Sequence, residues 1–261
     1  MDATLWIAKT GLDAQQTRMA VISNNLANVN TMGFKRDRAV FEDLLYQNIR
    51  QAGTVTSANA EAPTGLMLGT GTRIVATEKL HTQGNMVSTE NALDVAIDGA
   101  GYFQVLRPDN TIGYTRDGSF KLSKDGVLVT ANGYRLQPEI TIPTDAQTIT
   151  IGADGTVSVQ RFGTAVPSTI GNIQLATFVN PAGLQAAGEN MYLENGASGA
   201  PQLMTPTQAG AGKLVQGTLE ASNVNVVEEM VNMIETQRAY EVNSKAISAA
   251  DQMLKFVNQN L

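Results

Sequence analysis

The stretch LWIAKTGLDAQQTRMAVISNNLANV (residues 5–29) and its counterpart VVEEMVNMIETQRAYEVNSKAISAADQML (residues 226–254) decide the fold. In the first, Leu5, Ala8, Leu12, Gln15, Met19, Ile22, Leu26 and Val29 follow a three-four spacing that lays one narrow stripe along a helix. In the second, Val226, Met230, Met233, Gln237, Tyr240, Ser244, Ile247, Asp251 and Leu254 repeat that spacing. The long middle of the chain carries no such repeat. The termini therefore read as two helices built to pack against partners.

Neither helix holds its shape alone. Burying a large apolar side chain gains about 1.5 to 3 kcal/mol, so the six apolar rungs Leu5, Leu12, Met19, Ile22, Leu26 and Val29 supply roughly 10 to 15 kcal/mol. Ordering about 25 backbone residues costs at least as much, at roughly 1 to 2 kcal/mol each. The helices need further surface, in each other, in the middle of the chain or in neighbouring copies. Polar rungs at Gln15, Gln237, Ser244 and Asp251 call for hydrogen-bonding partners, because a lone polar group in a dry seam is expensive. An antiparallel pair within a monomer and an association between copies both fit the pattern.

The first helix is predicted over Thr4 to Val29, stopped by Gly33 after Asn28, Val29, Asn30 and Thr31. Asn24, Asn25 and Asn28 sit in its last turns, where poor helix formers signal either amides with a bonding task or a fraying end. From Phe34 to Ile49 the weaker pattern of Phe41, Leu44, Leu45 and Ile49 fits a short helix or an extended arm. Gln51 to Gly71, rich in small and polar residues and broken by Pro63, reads as a long exposed loop or hairpin.

Beyond Thr72 the period changes to short alternating runs: ALDVAIDG (92–99), GYFQVL (101–106), GVLVT (126–130) and TITIGADGTVSV (148–159). Turn signals punctuate them at Asp98-Gly99, Asp117-Gly118, Asp125-Gly126, Asn132-Gly133 and Asp154-Gly155. This is the pattern of an antiparallel β-domain made of hairpins. Asn225, with Glu228 three positions on, reads as the capping box of the second helix. The fold class is α+β: terminal helices (1–33 and 222–261), an arm (34–71) and a central antiparallel β-domain (72–221).

With 261 residues and 43% hydrophobic content, the chain can bury a core of one large or two smaller domains. A net charge of -6 with scattered basic residues argues against nucleic acid as partner. Lys35, Arg36 and Arg38 form the one tight basic group and read as a solvated turn face. There is no cysteine to make a disulfide or ligate a metal. The N-terminus MDATLWIAKTGLDAQ lacks the basic and apolar regions of a cleaved secretory signal, and no stretch is long enough to cross a membrane.

Catalytic readings are weak. Asp94 and Asp98, with Glu90 nearby, could be imagined as the acid–base pair of a cell-wall hydrolase, but Asp98-Gly99 is a turn signal and nothing else defines a pocket. His81 is the single histidine, which excludes a multi-histidine metal site. Ser119 lacks a nucleophile-elbow context, and no segment has the calcium-loop pattern. Tyr102 and Phe103 read as strand packing. No enzyme activity and no cofactor are expected.

SNNLANVNTMGFKRD (23–37) resembles the N-terminal signature of the flagellar rod and hook axial proteins. ALDVAIDGAGYFQV (92–105) with YTRDGSFKLSKDGVLVTANGYRLQP (114–138) is similar to the block that marks the β-domain of that family. LEASNVNVVEEMVNMIETQRAYEVNSKAISAADQML (219–254) resembles its C-terminal helix signature. The modest length and single β-domain look most like a distal rod subunit, since hook subunits carry larger outer domains. The resemblance implies export through the flagellum-specific apparatus without a cleaved signal, and a helical homopolymer in the periplasmic rod of the basal body, its inner core lined by the terminal helices paired as a coiled coil (1–33 with 222–261). It also implies proximal rod proteins, a hook or hook-junction protein and the surrounding rings as partners, with no nucleic acid and no membrane insertion. The assembly contacts it implies are Leu5, Leu12, Met19, Ile22 and Leu26 with Met230, Met233, Ile234, Tyr240, Ile247 and Leu254, the amides of Asn24, Asn25, Asn28 and Gln237 fixing register. The arm is expected to bridge neighbouring copies.

Overall fold

The computed structural model describes residues 3–51, 55–57, 60–61, 64–163, 166–208 and 210–259. The chain is α+β, with two long terminal helices and a mostly β centre. It divides into two compact units: Met1–Ala27, Asp37–Glu78 and Asn225–Leu261 form one, and Asn28–Arg36 with Lys79–Val224 form the other.

In the first unit, helix α1 (Ala3–Ala27) and helix α2 (Val226–Gln259) pack antiparallel. Gly11 of α1 faces Asn243 of α2, and Arg18 donates to Oδ1 of Asn232 at 3.5 Å. Gly11 has a steric reason to stand inside a helix, where glycine costs about 0.5 to 1 kcal/mol relative to alanine. A Cβ there would lie 3.1 Å from Nδ2 of Asn243. Asn225 caps α2 as its position suggests, its Oδ1 accepting from the N–H groups of Val227 (3.1 Å) and Glu228 (3.4 Å).

Asn25 settles what at least one of the late asparagines of α1 does. Its side chain is buried and pairs with the backbone of Asp37 in both directions: Nδ2 donates to the carbonyl at 2.9 Å and Oδ1 accepts from the N–H at 2.8 Å. The amide thus imitates a β-bridge between a helix end and the first strand.

Residues from Asp37 onward correct the short-helix alternative. Strand Asp37–Asp43 pairs with Thr72–Lys79, and Tyr46–Arg50 pairs antiparallel with Leu66–Gly69. Strands Val55–Ser57 and Ala60–Glu61 pair antiparallel as well, so the described strands of the segment pair in hairpin order. The cross-strand ion pairs Arg38–Glu78, at 2.7 Å, and Arg73–Glu42 span it. Both are well exposed, so each is worth little energetically. Residues 52–54, 58–59 and 62–63 of the expected loop lie outside the described residues.

The second unit combines hairpins with long-range strand pairs such as Val95–Asp98 with Lys213–Gln216. Its largest sheet runs in the order Lys121–Leu122, Leu128–Val129, Arg135–Gln137, Phe103–Leu106, Ile112–Thr115, Met191–Leu193 and Gln185–Gly188, with antiparallel neighbours throughout. A three-stranded sheet of Ala146–Ile151, Thr156–Arg161 and Ser168–Asn172 stands beside it in the order of the chain. Asn132-Gly133 and Asp154-Gly155 turn the chain as their sequence predicts, each glycine at φ 86°. Alternation decides the core: Val157 and Val159 point inward with Ile97, Phe103, Phe120, Leu136, Ile173 and Leu175. A second, aromatic cluster holds Tyr102, Tyr114, Phe178 and Tyr192.

Candidate assembly surface and buried ionic joint

Helix α2 presents two different faces. Glu229, Thr236, Asn243 and Ala250, spaced by seven, are buried or half-buried. Thr236 is 0% exposed and its hydroxyl donates to the Asn232 carbonyl at 2.6 Å. At about 100° per residue, Val227, Met230, Val231 and Ile234 centre about 180° away. Those four are 70%, 51%, 49% and 50% exposed. One side of the helix is therefore a polar, small-residue seam, and the other is an apolar stripe open to solvent.

The two sequence stripes meet different fates. Along α1, Ala8 and Ile22 are buried and Leu5, Leu12, Gln15, Met19 and Leu26 half-buried, so that stripe lies inward over its whole length. Along α2 only part of it does: Met233, Ile247 and Leu254 are half-buried, whereas Met230, Ile234, Gln237 and Tyr240 are exposed. The inward seam of α2 is offset from the apolar repeat, because Gly11, Arg18, Asn232 and Asn243 permit a close polar contact. Asn24 is exposed, 3.4 Å from the Asp37 carboxylate, and Asn28 accepts from the Thr31 hydroxyl at 3.1 Å.

The second unit contains a site that the basic-turn reading of Lys35 missed. The side chain of Lys35 is 0% exposed. Its Nζ lies 2.6 Å from Oε1 of Glu220 and donates to the Thr82 carbonyl at 2.7 Å. The same Glu220 oxygen accepts from the N–H of Gly84 at 2.8 Å, and its other oxygen lies 3.5 Å from Nη1 of Arg116. Arg116 donates to the Gly99 carbonyl at 2.7 Å and the Ile97 carbonyl at 3.3 Å, and stacks 5.3 Å from the Tyr102 ring centre. Tyr102 in turn places its hydroxyl 2.7 Å from Nδ1 of His81.

Backbone geometry locks this joint. Gly33, at φ 69°, donates to the Glu220 carbonyl at 2.7 Å, and a Cβ there would stand 2.8 Å from the backbone of Arg116 and Asp117. Asn223 accepts from the Arg36 N–H at 2.8 Å and donates to the Leu80 carbonyl at 2.8 Å. Strand Thr218–Glu220 pairs with Met86–Ser88. Lys35 and Glu220 are 185 positions apart, beyond any local pattern. The one signal in the sequence is that Lys35, Arg116 and Glu220 each fall inside a different one of the three matched stretches.

Electrostatics follow from burial. Desolvation pulls the Lys35 ammonium below its ordinary value, opposed by the Glu220 carboxylate and reinforced by Arg116. His81 is pushed down to about 4, first by burial and then by Lys35, Arg116 and Lys79, so it is neutral at pH 7. Burial chiefly raises the Tyr102 hydroxyl to about 12.

The carboxylates considered for hydrolysis are engaged elsewhere. Asp94 accepts from the Thr89 hydroxyl (2.6 Å) and the Asn91 amide (2.9 Å), and Asp98 pairs with Lys213 at 3.1 Å. Four positions apart along extended chain, they lie roughly 13 Å from each other. Among the described residues no group of three or more potential metal ligands occurs, and no helix is long and apolar enough to cross a membrane.

Comparison with known proteins gives three family matches in chain order. Residues 5–35 match the flagella basal body rod protein family, 96–159 the flagellar hook protein FlgE/F/G D1 domain, and 215–260 the C-terminal domain of flagellar basal body rod FlgEFG proteins. The chain is 57% identical over 259 residues to the flagellar basal-body rod protein FlgG of Buchnera aphidicola subsp. Acyrthosiphon pisum, covering 99% of this chain and 100% of the relative. It is 47% identical over 260 residues to FlgG of Borreliella burgdorferi, with 99% and 98% covered. FlgG of Bacillus subtilis is 38% identical over 257 residues, with 97% and 96% covered.

Removing the shared anion tests the joint. In Glu220→Gln, Lys35 and Arg116 keep their burial and lose their counter-charge, so denaturant unfolding of the full chain is expected to show a loss of about 3 to 5 kcal/mol. The double variant Lys35→Met with Glu220→Gln should lose less than the sum of the single variants. Strict additivity would mean that the two side chains are not coupled.

His81 gives a pH signature. Its folded value lies below its unfolded one, so the folded state binds fewer protons and stability is full above the unfolded value of 6.5. It falls as pH drops from 6.5 toward about 4, approaching about 1.4 kcal/mol per pH unit for this one group. Between pH 6.5 and 5 the melting temperature of the natural protein should therefore fall more steeply than that of His81→Gln. Parallel curves would contradict the burial of the neutral ring.

Proposed function

The chain belongs to the flagellar basal-body rod protein family and is a structural subunit of the rod, and on that premise we propose that its copies polymerise into the distal rod. In this reading the polymer is a rigid helical tube that transmits motor torque to the hook and encloses the export channel. The subunit is exported without a cleaved signal and takes its place in the periplasm, between proximal rod proteins and the hook or hook-junction protein, inside the surrounding rings. It works as a structural element and not as an enzyme, in keeping with the names its relatives carry.

One observation carries the proposal: α2 holds α1 with its polar seam while offering Val227, Met230, Val231 and Ile234 outward on the opposite side. Water-exposed apolar side chains in such a row favour burial by another molecule. A head-to-tail contact that does not close generates a filament. Here the helix pair acts as a coiled coil shared among copies, with Met230, Ile234 and Tyr240 as outward contacts and Leu5, Leu12, Met19, Ile22, Leu26, Met233, Ile247 and Leu254 as inner packing. Asn24, Asn25, Asn28 and Gln237 set register.

The hairpin supplies a second contact in the same reading. Tyr46, Ile49, Leu66, Met67 and Leu68 are all exposed on two of its strands, and Leu45 is exposed just before the first. An isolated two-stranded ribbon is marginal in water, so a neighbour that buries these side chains would both stabilise the arm and stiffen the polymer.

Two measurements test these contacts. The double variant Val231→Asp, Ile234→Asp changes only exposed positions, so its monomer should unfold within about 0.5 kcal/mol of the parent. Electron microscopy of basal bodies from cells carrying it should show rods that end before this segment. Rods of normal length would overturn the stripe as an assembly contact. Deleting Gly53–Leu68 should yield rods that bend, read as curvature in micrographs. Rods that stay straight would overturn the bridging arm.

A further inference from the structure

We propose that the cavity between His81, Tyr102, Arg116 and Phe178 binds a single carboxylate group, held by the Arg116 guanidinium. The cavity encloses about 270 Å³ and is also bordered by Gln83 and Ala100. Arg116, 4% exposed, lines it. Nε of Arg116 and Oε2 of Glu220 are both buried without a hydrogen-bond partner among the described residues, so what a ligand in the cavity meets is the guanidinium's charge.

The charge balance points the same way. Lys35 and Arg116 share one buried carboxylate, that of Glu220, leaving one positive charge in excess. Lys79 adds a positive field at His81. Asp98, which approaches through Gln83, is committed to Lys213. One excess positive charge matches a monoanion, whereas a phosphate dianion would over-compensate it and a cation would worsen it. The ligand needs acceptor oxygens for the guanidinium. It also needs a small apolar body for the aromatic walls of Tyr102 and Phe178, whose rings meet edge-on at 5.9 Å. A carboxylate on a short aliphatic stem has both, and it can come from a free solute or from an acidic side chain of another polypeptide. This inference is independent of the rod reading.

The experiment follows the imidazole of His81, the single histidine of the chain, by NMR in the full-length protein. Sodium acetate represents the free solute, N-acetyl-aspartate methylamide represents a side chain, and sodium chloride at equal ionic strength is the control. The expected result is a saturable shift of the His81 signals with one carboxylate probe or both, half-complete on the order of 10 mM as befits so small a ligand. The tighter probe identifies the source. Ala100→Trp, placed at the exposed rim, should abolish the shift while the circular dichroism spectrum is kept. Should that variant misfold, Thr177→Trp fills the same mouth. A shift that grows without saturation, equals that of chloride, or survives the plugged mouth in a folded variant would overturn the site.

Discussion

The structure of the β-rich unit depends on one buried carboxylate. Glu220 sits between Lys35 and Arg116, out of reach of water. Taking three such groups out of solvent costs several kcal/mol each, which their mutual attraction and backbone hydrogen bonds offset. Thr82, Gly84, Gly99 and Ile97 supply them from the backbone, and that requirement in turn fixes the path of the strands that carry these residues. Gly33 then has no alternative, since any side chain would collide with the Arg116 backbone. Lys35 follows the last residue of α1, Ala27, by eight positions, and Glu220 precedes the first of α2, Val226, by six. The joint therefore clamps the chain where it leaves one terminal helix and where it is about to enter the other.

A clamp made of charges differs from one made of leucines. Apolar contacts slide at little cost because their attraction has no direction, whereas a carboxylate shared by an ammonium and a guanidinium loses most of its compensation once displaced by an ångström or two. The same logic extends to Asn25 and Asn223, whose amides replace backbone partners at the edges of strands. In both units the segments next to the helices are thus held by directional bonds.

Much of this was legible in the residues themselves. Period and caps located both helices, and Asp125-Gly126, Asn132-Gly133 and Asp154-Gly155 located hairpins, because those signals are local, whereas the strands either side of Asp98-Gly99 and of Asp117-Gly118 pair elsewhere. The inward face of α2 was not legible, because its seam is built from Glu229, Thr236, Asn243 and Ala250 while the apolar repeat that catches the eye lies partly on the opposite side. A hydrophobic stripe reports where a helix avoids water, and that can be a face turned to another molecule. Lys35 was misread for a related reason. A basic residue in a turn is usually solvated, and only a partner 185 positions away reverses that expectation. The hairpin from Asp37 was ambiguous because DRAVFED alternates too weakly to exclude a helix until Thr72–Lys79 is seen to pair with it.

The two-faced α2 bears directly on the role proposed for the polymer. A helix gripped along one side only can roll about its axis, since a single stripe resists translation far better than rotation. Gripping it along two sides about 180° apart turns any roll into a loss on one side or the other. If the inner grip were apolar it could repack at a shifted register. With Arg18 against Asn232 and Gly11 against Asn243 the inner register is set by polar fit, which leaves the apolar outer stripe for the adhesion proposed above. In the proposed polymer, separating register from adhesion in this way would suit a shaft under torque, because the contacts that define alignment would not be the ones that carry most of the binding energy.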